Sequence, residues 1–291
     1  MARTGSARGA GTSQGLDDAD RAFLIGLARG LAGALLFCLP MLMTMEMWFL
    51  GLYIHPVRLL VLCAVNLPML VLLAHYIGFE KSISWRTACR DAITAYGLAI
   101  VVSAGFLLMF NVLGPQSPAE TLVATIALQA VPASIGALLG RSQLGDTSDG
   151  DNEDDDNAVP ETGYGRELFM MVVGALFLNL NVAPTEEMNL IAFKITPIHT
   201  LLMVVTSIVL MHGFVYAVQF RGGHKRAEGA GWWRPFLVYT IPGYVLALLV
   251  SLYVLWTFER LESVSLQQII TTTVVLGLPG AIGAASARLI L

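Results

Sequence analysis

Eight long apolar segments, parted by one extended hydrophilic interval, constrain this chain more than any other feature. They run roughly over 22–54, 57–79, 92–113, 119–140, 167–195, 198–220, 235–258 and 265–288. Each is long enough to cross a hydrocarbon core of about 30 Å as a helix rising 1.5 Å per residue. Charged residues make up 13% of the chain and hydrophobic ones 56%, about half the charged fraction of a soluble domain. Such a surface faces lipid and other helices rather than water, and the alternation of a β-barrel is absent. The expectation is an all-α membrane protein of about eight transmembrane helices, with the lipid bilayer of the cell membrane as its main partner.

Basic residues set the expected orientation. With the N-terminus, alternate loops and the C-terminus in the cytoplasm, only Arg58, Lys194 and Arg260 of the 17 lysines and arginines fall on the far side. This bias predicts both termini inside. Residues 1–20, rich in Gly, Ser, Ala and Arg, lack the compact apolar core of a signal peptide and read as a disordered, uncleaved tail. The interval 145–163 carries Asp146, Asp149, Asp151, Glu153, Asp154, Asp155, Asp156 and Glu161. It reads as a solvated, self-repelling cytoplasmic linker, because a calcium loop counted from Asp149 would need glycine where Asp154 stands.

The linker separates two membrane units, 21–144 and 164–291, whose sequences echo one another. Thr44-Met-Glu46-Met47 and Thr185-Glu-Glu187-Met188 stand 141 residues apart, preceded by Pro40 and Pro184. Gly33-Ala-Leu pairs with Gly174-Ala-Leu at the same offset, and Pro56 with Pro197. Near the end of each unit Pro132-Ala-Ser-Ile-Gly136-Ala matches Pro279-Gly-Ala-Ile-Gly283-Ala. The reading is a tandem duplication of a four-helix unit. Because four is even, both copies enter from one side and form parallel repeats. The prolines at 40, 132, 184 and 279 are expected to kink helices, and Gly136 and Gly283 to let helices pack closely.

An ionisable side chain in a membrane segment is costly and therefore a functional candidate. If the first helix runs unbroken from Glu46 to Pro56, those residues rise about 15 Å, half the hydrocarbon thickness, and Glu187 is placed likewise before Pro197. Two carboxylates would then converge near the midplane, where they must share a proton, pair with a base or hold a cation. No lysine or arginine stands at that depth within a predicted span, since Arg29 is about 25 Å away along its helix. A proton or a hard cation is left, with the hydroxyls of Thr44 and Thr185 as further oxygen ligands. Glu186 and Asn181 are secondary candidates in the more polar second copy. The competing reading is structural: intramembrane Glu and Asn can join helices through hydrogen bonds of about 1 kcal/mol.

Other features carry less. Alternate methionines at 41, 43, 45 and 47 scatter around a helix and fill apolar space better than they bind copper(I). Cys38, Cys63 and Cys89 have no disulfide or zinc spacing, and His75 and His212 read as packed side chains. No nucleophile elbow, P-loop or dinucleotide fingerprint is present, so neither enzymatic activity nor a cofactor is expected. No basic patch outside the loops suggests nucleic acid.

The stretches Pro40-Met-Leu-Met-Thr-Met-Glu-Met-Trp48 and Ala183-Pro-Thr-Glu-Glu-Met188 resemble those of a bacterial family of multi-pass integral membrane proteins of unknown function. The resemblance spans about 22–291 and implies no activity. The residues themselves point first to a cation channel or cation/proton exchanger built on Glu46 and Glu187. A non-transporting scaffold, sensor or accessory subunit is the alternative.

Overall fold

A computed structural model describes residues 10–77, 84–114, 116–143, 163–220 and 233–290. The acidic linker lies outside the described residues, apart from Gly163 at its end. Twelve helical elements follow one another without a strand among the described residues. They are α1 (Ala10–Leu42), α2 (Met45–Tyr53), α3 (Pro56–Ile77), α4 (Trp85–Met109) and α5 (Ala119–Gln143), then α6 (Tyr164–Val182), α7 (Glu186–Lys194) and α8 (Pro197–Phe220). One turn, α9 (Trp233–Pro235), leads through a π-helical turn (Phe236–Thr240) into α10 (Ile241–Thr257), and α11 (Leu266–Ile290) completes the chain. Eight of these stretches are long and apolar enough to cross a membrane, one overlapping each predicted segment.

Helix starts follow local chemistry. α3 and α8 both open on proline, whose missing N–H costs nothing there. Ser84 caps α4, its hydroxyl accepting from the Arg86 amide. This cap starts α4 at Trp85 rather than at the predicted 92, because the basic first two turns are helical although too polar for the core. At the N-terminus α1 already begins at Ala10, so residues 10–20 are helical and not the disordered tail expected. An existing apolar helix extends backward without a new nucleation cost.

The main departure concerns the first and fifth segments. Each splits into a long helix and a separate nine-residue helix, α2 and α7. The chain turns at Thr44 and Thr185, whose φ/ψ of −93°/123° and −69°/143° are extended. Length beyond one crossing thus becomes a second short helix instead of tilt.

Burial identifies the centre of each half. In α5, 72% of the apolar stretch is buried and in α11 56%, against 11% in α8, which forms an outer wall. α1 and α2 lie in succession along α5. Gly33 of α1 meets the backbone of Gly136 and Gly140 so closely that a methyl group would collide with it, and Gly51 of α2 rests on Thr125. α6 meets α11 in the same way through Gly174 and Gly283. Burying backbone against backbone exchanges side-chain volume for dispersion contact, which drives helix association where water is absent. The halves join where Phe37 of α1 meets Phe177 of α6 edge-on at 5.0 Å, and where Tyr76 of α3 meets Phe169 at 5.4 Å.

Candidate functional site

The two breaks are built alike. At the first, the Thr44 amide and hydroxyl both donate to Met41 O, at 3.2 and 2.8 Å. At the second, the Thr185 amide and hydroxyl donate to Val182 O, at 3.1 and 2.8 Å. Each threonine therefore stands in the N-cap position while its hydroxyl closes the preceding turn instead of capping the next helix. Glu46 follows in the first turn of α2, and Glu186 and Glu187 in the first turn of α7. There a carboxylate is favoured by the free N–H groups of the helix start. Thr-x-Glu-Met is thus a helix-start pattern as well as a candidate site, and Met47 and Met188 are its buried anchors.

The unbroken helix behind the midplane estimate is absent, and in the second half the depth can be traced. Asn179 of α6 donates to Ser251 of α10 at 2.9 Å. From that bond Pro184 is about 8 Å further on and the end of α10 at Thr257 about 9 Å, at 1.5 Å per residue. The second break is therefore level with the C-terminal end of α10. Glu187 is exposed there and Glu46 half-buried at its own break. Among the described residues neither carboxylate has a hydrogen-bond or ion-pair partner.

The remaining predicted residues are engaged. Asn181 donates to Phe177 O at 2.8 Å within its own helix. Glu186 accepts from Arg260 at 3.0 Å. Pro40, Pro132 and Pro279 lie inside α1, α5 and α11, while Pro184 lies between α6 and α7 and is buried.

Three residues that the sequence reading did not assign to the breaks complete them. Gln129 of α5, fully buried, donates to Met41 O at 3.2 Å, and its Oε1 has no partner. Thr125, one turn earlier under Gly51, is 1% exposed and its hydroxyl is also unpartnered. Arg260 serves the second break: from the turn after α10 its guanidinium donates to Pro184 O and pairs with Glu186, with only 14% of the side chain exposed. A basic residue from the turn after α10 thus reaches the break, which a search restricted to the spans could not find.

Near Arg260 a cluster of polar contacts ties the halves at the same end of the bundle. Arg58 pairs with Glu262 at 2.5 Å, donates to Trp256 O at 2.8 Å and lies 5.3 Å from the centre of the Trp256 ring. The His55 amide donates to Glu259 at 2.6 Å. Glu259 itself has a left-handed φ of 61°, matched by Asn111 at 56° in the corresponding turn after α4. Burial raises the Tyr53 phenol above its usual pKa; the positive Arg260 nearby pulls it down, and Glu186 and Glu259 push it up again. The signal for this cluster was present in the sequence: Arg58 and Arg260 are two of the three basic residues kept on the side where the bias disfavours them.

Eight apolar helices around two buried hubs define a multi-pass helical integral membrane protein. The chain belongs to the family described as putative integral membrane protein, DUF2391, which matches residues 26–291 and so covers both breaks. No curated protein and no solved structure matches the chain.

Among the described residues, no group of three or more His, Cys, Asp or Glu side chains is placed to hold a metal ion. A cation at the first break would have to be held by Glu46 together with neutral oxygens.

Proposed function

We propose that the protein moves a small cation or a proton across the cell membrane, in a chain built from two parallel repeats with both termini in the cytoplasm. Glu46 is the principal carboxylate of this reading and Glu187 its counterpart at the second break. The observation that carries it is the set of uncommitted oxygens at the first break. A half-buried Glu46 without a partner stands on α2, whose Gly51 rests on Thr125; Thr125 Oγ1 and, one turn further along α5, Gln129 Oε1 are unpartnered. Buried polar groups are normally satisfied, so an unsatisfied set at the break that carries an unpaired carboxylate favours a bound ion, proton or water over helix glue. Thr44 and Thr185, whose hydroxyl protons are already donated, retain lone pairs as weak ligands. Glu186 and Asn181 act as supports for the second break.

A second reading is favoured by the polar cluster. Arg58 with Glu262 and Trp256 O, and the His55 amide with Glu259, lock the halves together, as a rigid scaffold or sensor requires. Ion flux into proteoliposomes separates the two. Wild-type protein under proton, sodium, potassium, calcium and magnesium gradients is expected to carry one of these ions, and folded Glu46→Gln to lose that flux. Absence of flux from folded, inserted wild type under every gradient would establish the scaffold reading.

A further inference from the structure

We propose that the first two turns of α4 form a binding site for the headgroup of an anionic phospholipid, at the end of the bundle that the basic bias assigns to the cytoplasm. Trp85, Arg86, Cys89, Arg90, Ile93 and Thr94 line an open groove of about 510 Å³ on this helix. Both arginines are exposed and stand four residues apart, on one face. Trp85 is held at the mouth by stacking on His75 of α3, with ring centres 4.4 Å apart and planes 11° from parallel.

The groove has the polarity gradient of a lipid. Its upper rim carries two guanidiniums, suited to the bidentate recognition of a phosphate. Its lower wall is Ile93, 66% exposed, and the stripe continues to Val101, 68% exposed, where acyl chains would run. Beside it a crevice of about 210 Å³ between α1, α4 and α5, lined by Leu27, Gly30, Leu98 and Leu138, shares Arg90 and Thr94 with the groove. The crevice also holds Asp91, which is engaged with a partner of its own, beside the two arginines of the rim.

A second observation is independent of the groove. The dipeptide Trp85-Arg86 that opens α4 recurs as Trp233-Arg234 where the corresponding helix of the second half begins. Trp233 is 55% exposed against 56% for Trp85, and its ring lies edge-on to Phe236 at 6.0 Å. Aromatic anchors fix the depth of a helix at the headgroup level, and basic residues beside them select the headgroup by charge.

The test uses full-length protein in a neutral detergent, titrated with short-chain phosphatidylglycerol, phosphatidylcholine or inorganic phosphate. Thermal unfolding and the rate of maleimide modification at Cys89 are followed, the latter by peptide mass. Cys89 is an exposed thiol in the groove, while Cys38 is buried, so the probe reports the site itself. Phosphatidylglycerol is expected to raise the melting temperature and slow modification of Cys89, with phosphatidylcholine and inorganic phosphate doing neither. Arg86→Gln and Arg90→Gln are each expected to weaken the phosphatidylglycerol effect about fivefold. Equal protection by phosphatidylcholine, or retention of the full effect in both variants, overturns the proposal. Equal protection by inorganic phosphate replaces the lipid with a free anion. If the arginine variants do not fold, Cys89 protection in the wild type still decides.

Discussion

At the first break Met41 O accepts from a neutral amide, Gln129, whereas at the second Pro184 O accepts from a guanidinium, Arg260. The backbone turn, the threonine hydroxyl and the glutamate position are otherwise the same. At the offset of the Pro-x-x-Ile-Gly-Ala match Leu276 stands where Gln129 does, and in the two left-handed turns Val112 follows Asn111 where Arg260 follows Glu259. A fixed positive charge repels a mobile one over several ångströms in a poorly solvated site. The second break has a resident cation paired with Glu186, and the first is left with unpartnered oxygens to offer. Two breaks with the same backbone turn thus read as a strut and a candidate site.

The comparison breaks most sharply on flux. Glu46→Gln is expected to lower transport by about tenfold or more, the scale of a lost charged ligand, while Glu187→Gln changes it less than about twofold; equal losses in proteoliposomes would restore a symmetric pair. Next in size is Arg260→Gln, which strips the donor from Pro184 O and is expected to cost about 2 kcal/mol, read by chemical denaturation in detergent. Gln129→Leu gives the first break the residue of the second. Stability is expected to change by about 1 kcal/mol or less, because the lost bond to Met41 is offset by removal of an unsatisfied oxygen. Any stabilisation of wild type by the transported cation should vanish in this variant, as linkage requires. The smallest effect concerns Tyr53. Its phenol has a raised pKa in the fold, so its contribution to stability is complete below pH about 10 and fades as pH climbs through the raised value. Tyr53→Phe should flatten stability curves above that pH and leave them unchanged at neutrality.

Hydropathy made the eight crossings legible, because twenty apolar residues in a row admit few other fates. It could not show that two of the segments break, since Met41 to Met47 is as apolar on one side of the turn as on the other. The cue was in residue type: threonine before glutamate is a helix start, and the same letters were read as chemistry alone. Gln129 escaped notice because a lone glutamine in a predicted span has no partner in view until α1 is laid beside it. Arg58 and Glu262 are 204 residues apart, and only folding brings them together. Exceptions to a charge bias deserved the same scrutiny as the bias.

Four glycines carry a different consequence. At Gly33, Gly136, Gly174 and Gly283 an added methyl would meet main-chain atoms of the facing helix, which cannot rotate aside as a side chain does. Substitution at these positions has no intermediate step between fitting and forcing two helices apart. A library that varies the chain freely should return them unaltered, even in members that have lost every acidic residue at the breaks. Distant kin of this protein would therefore be found by the spacing of their glycines rather than by their carboxylates.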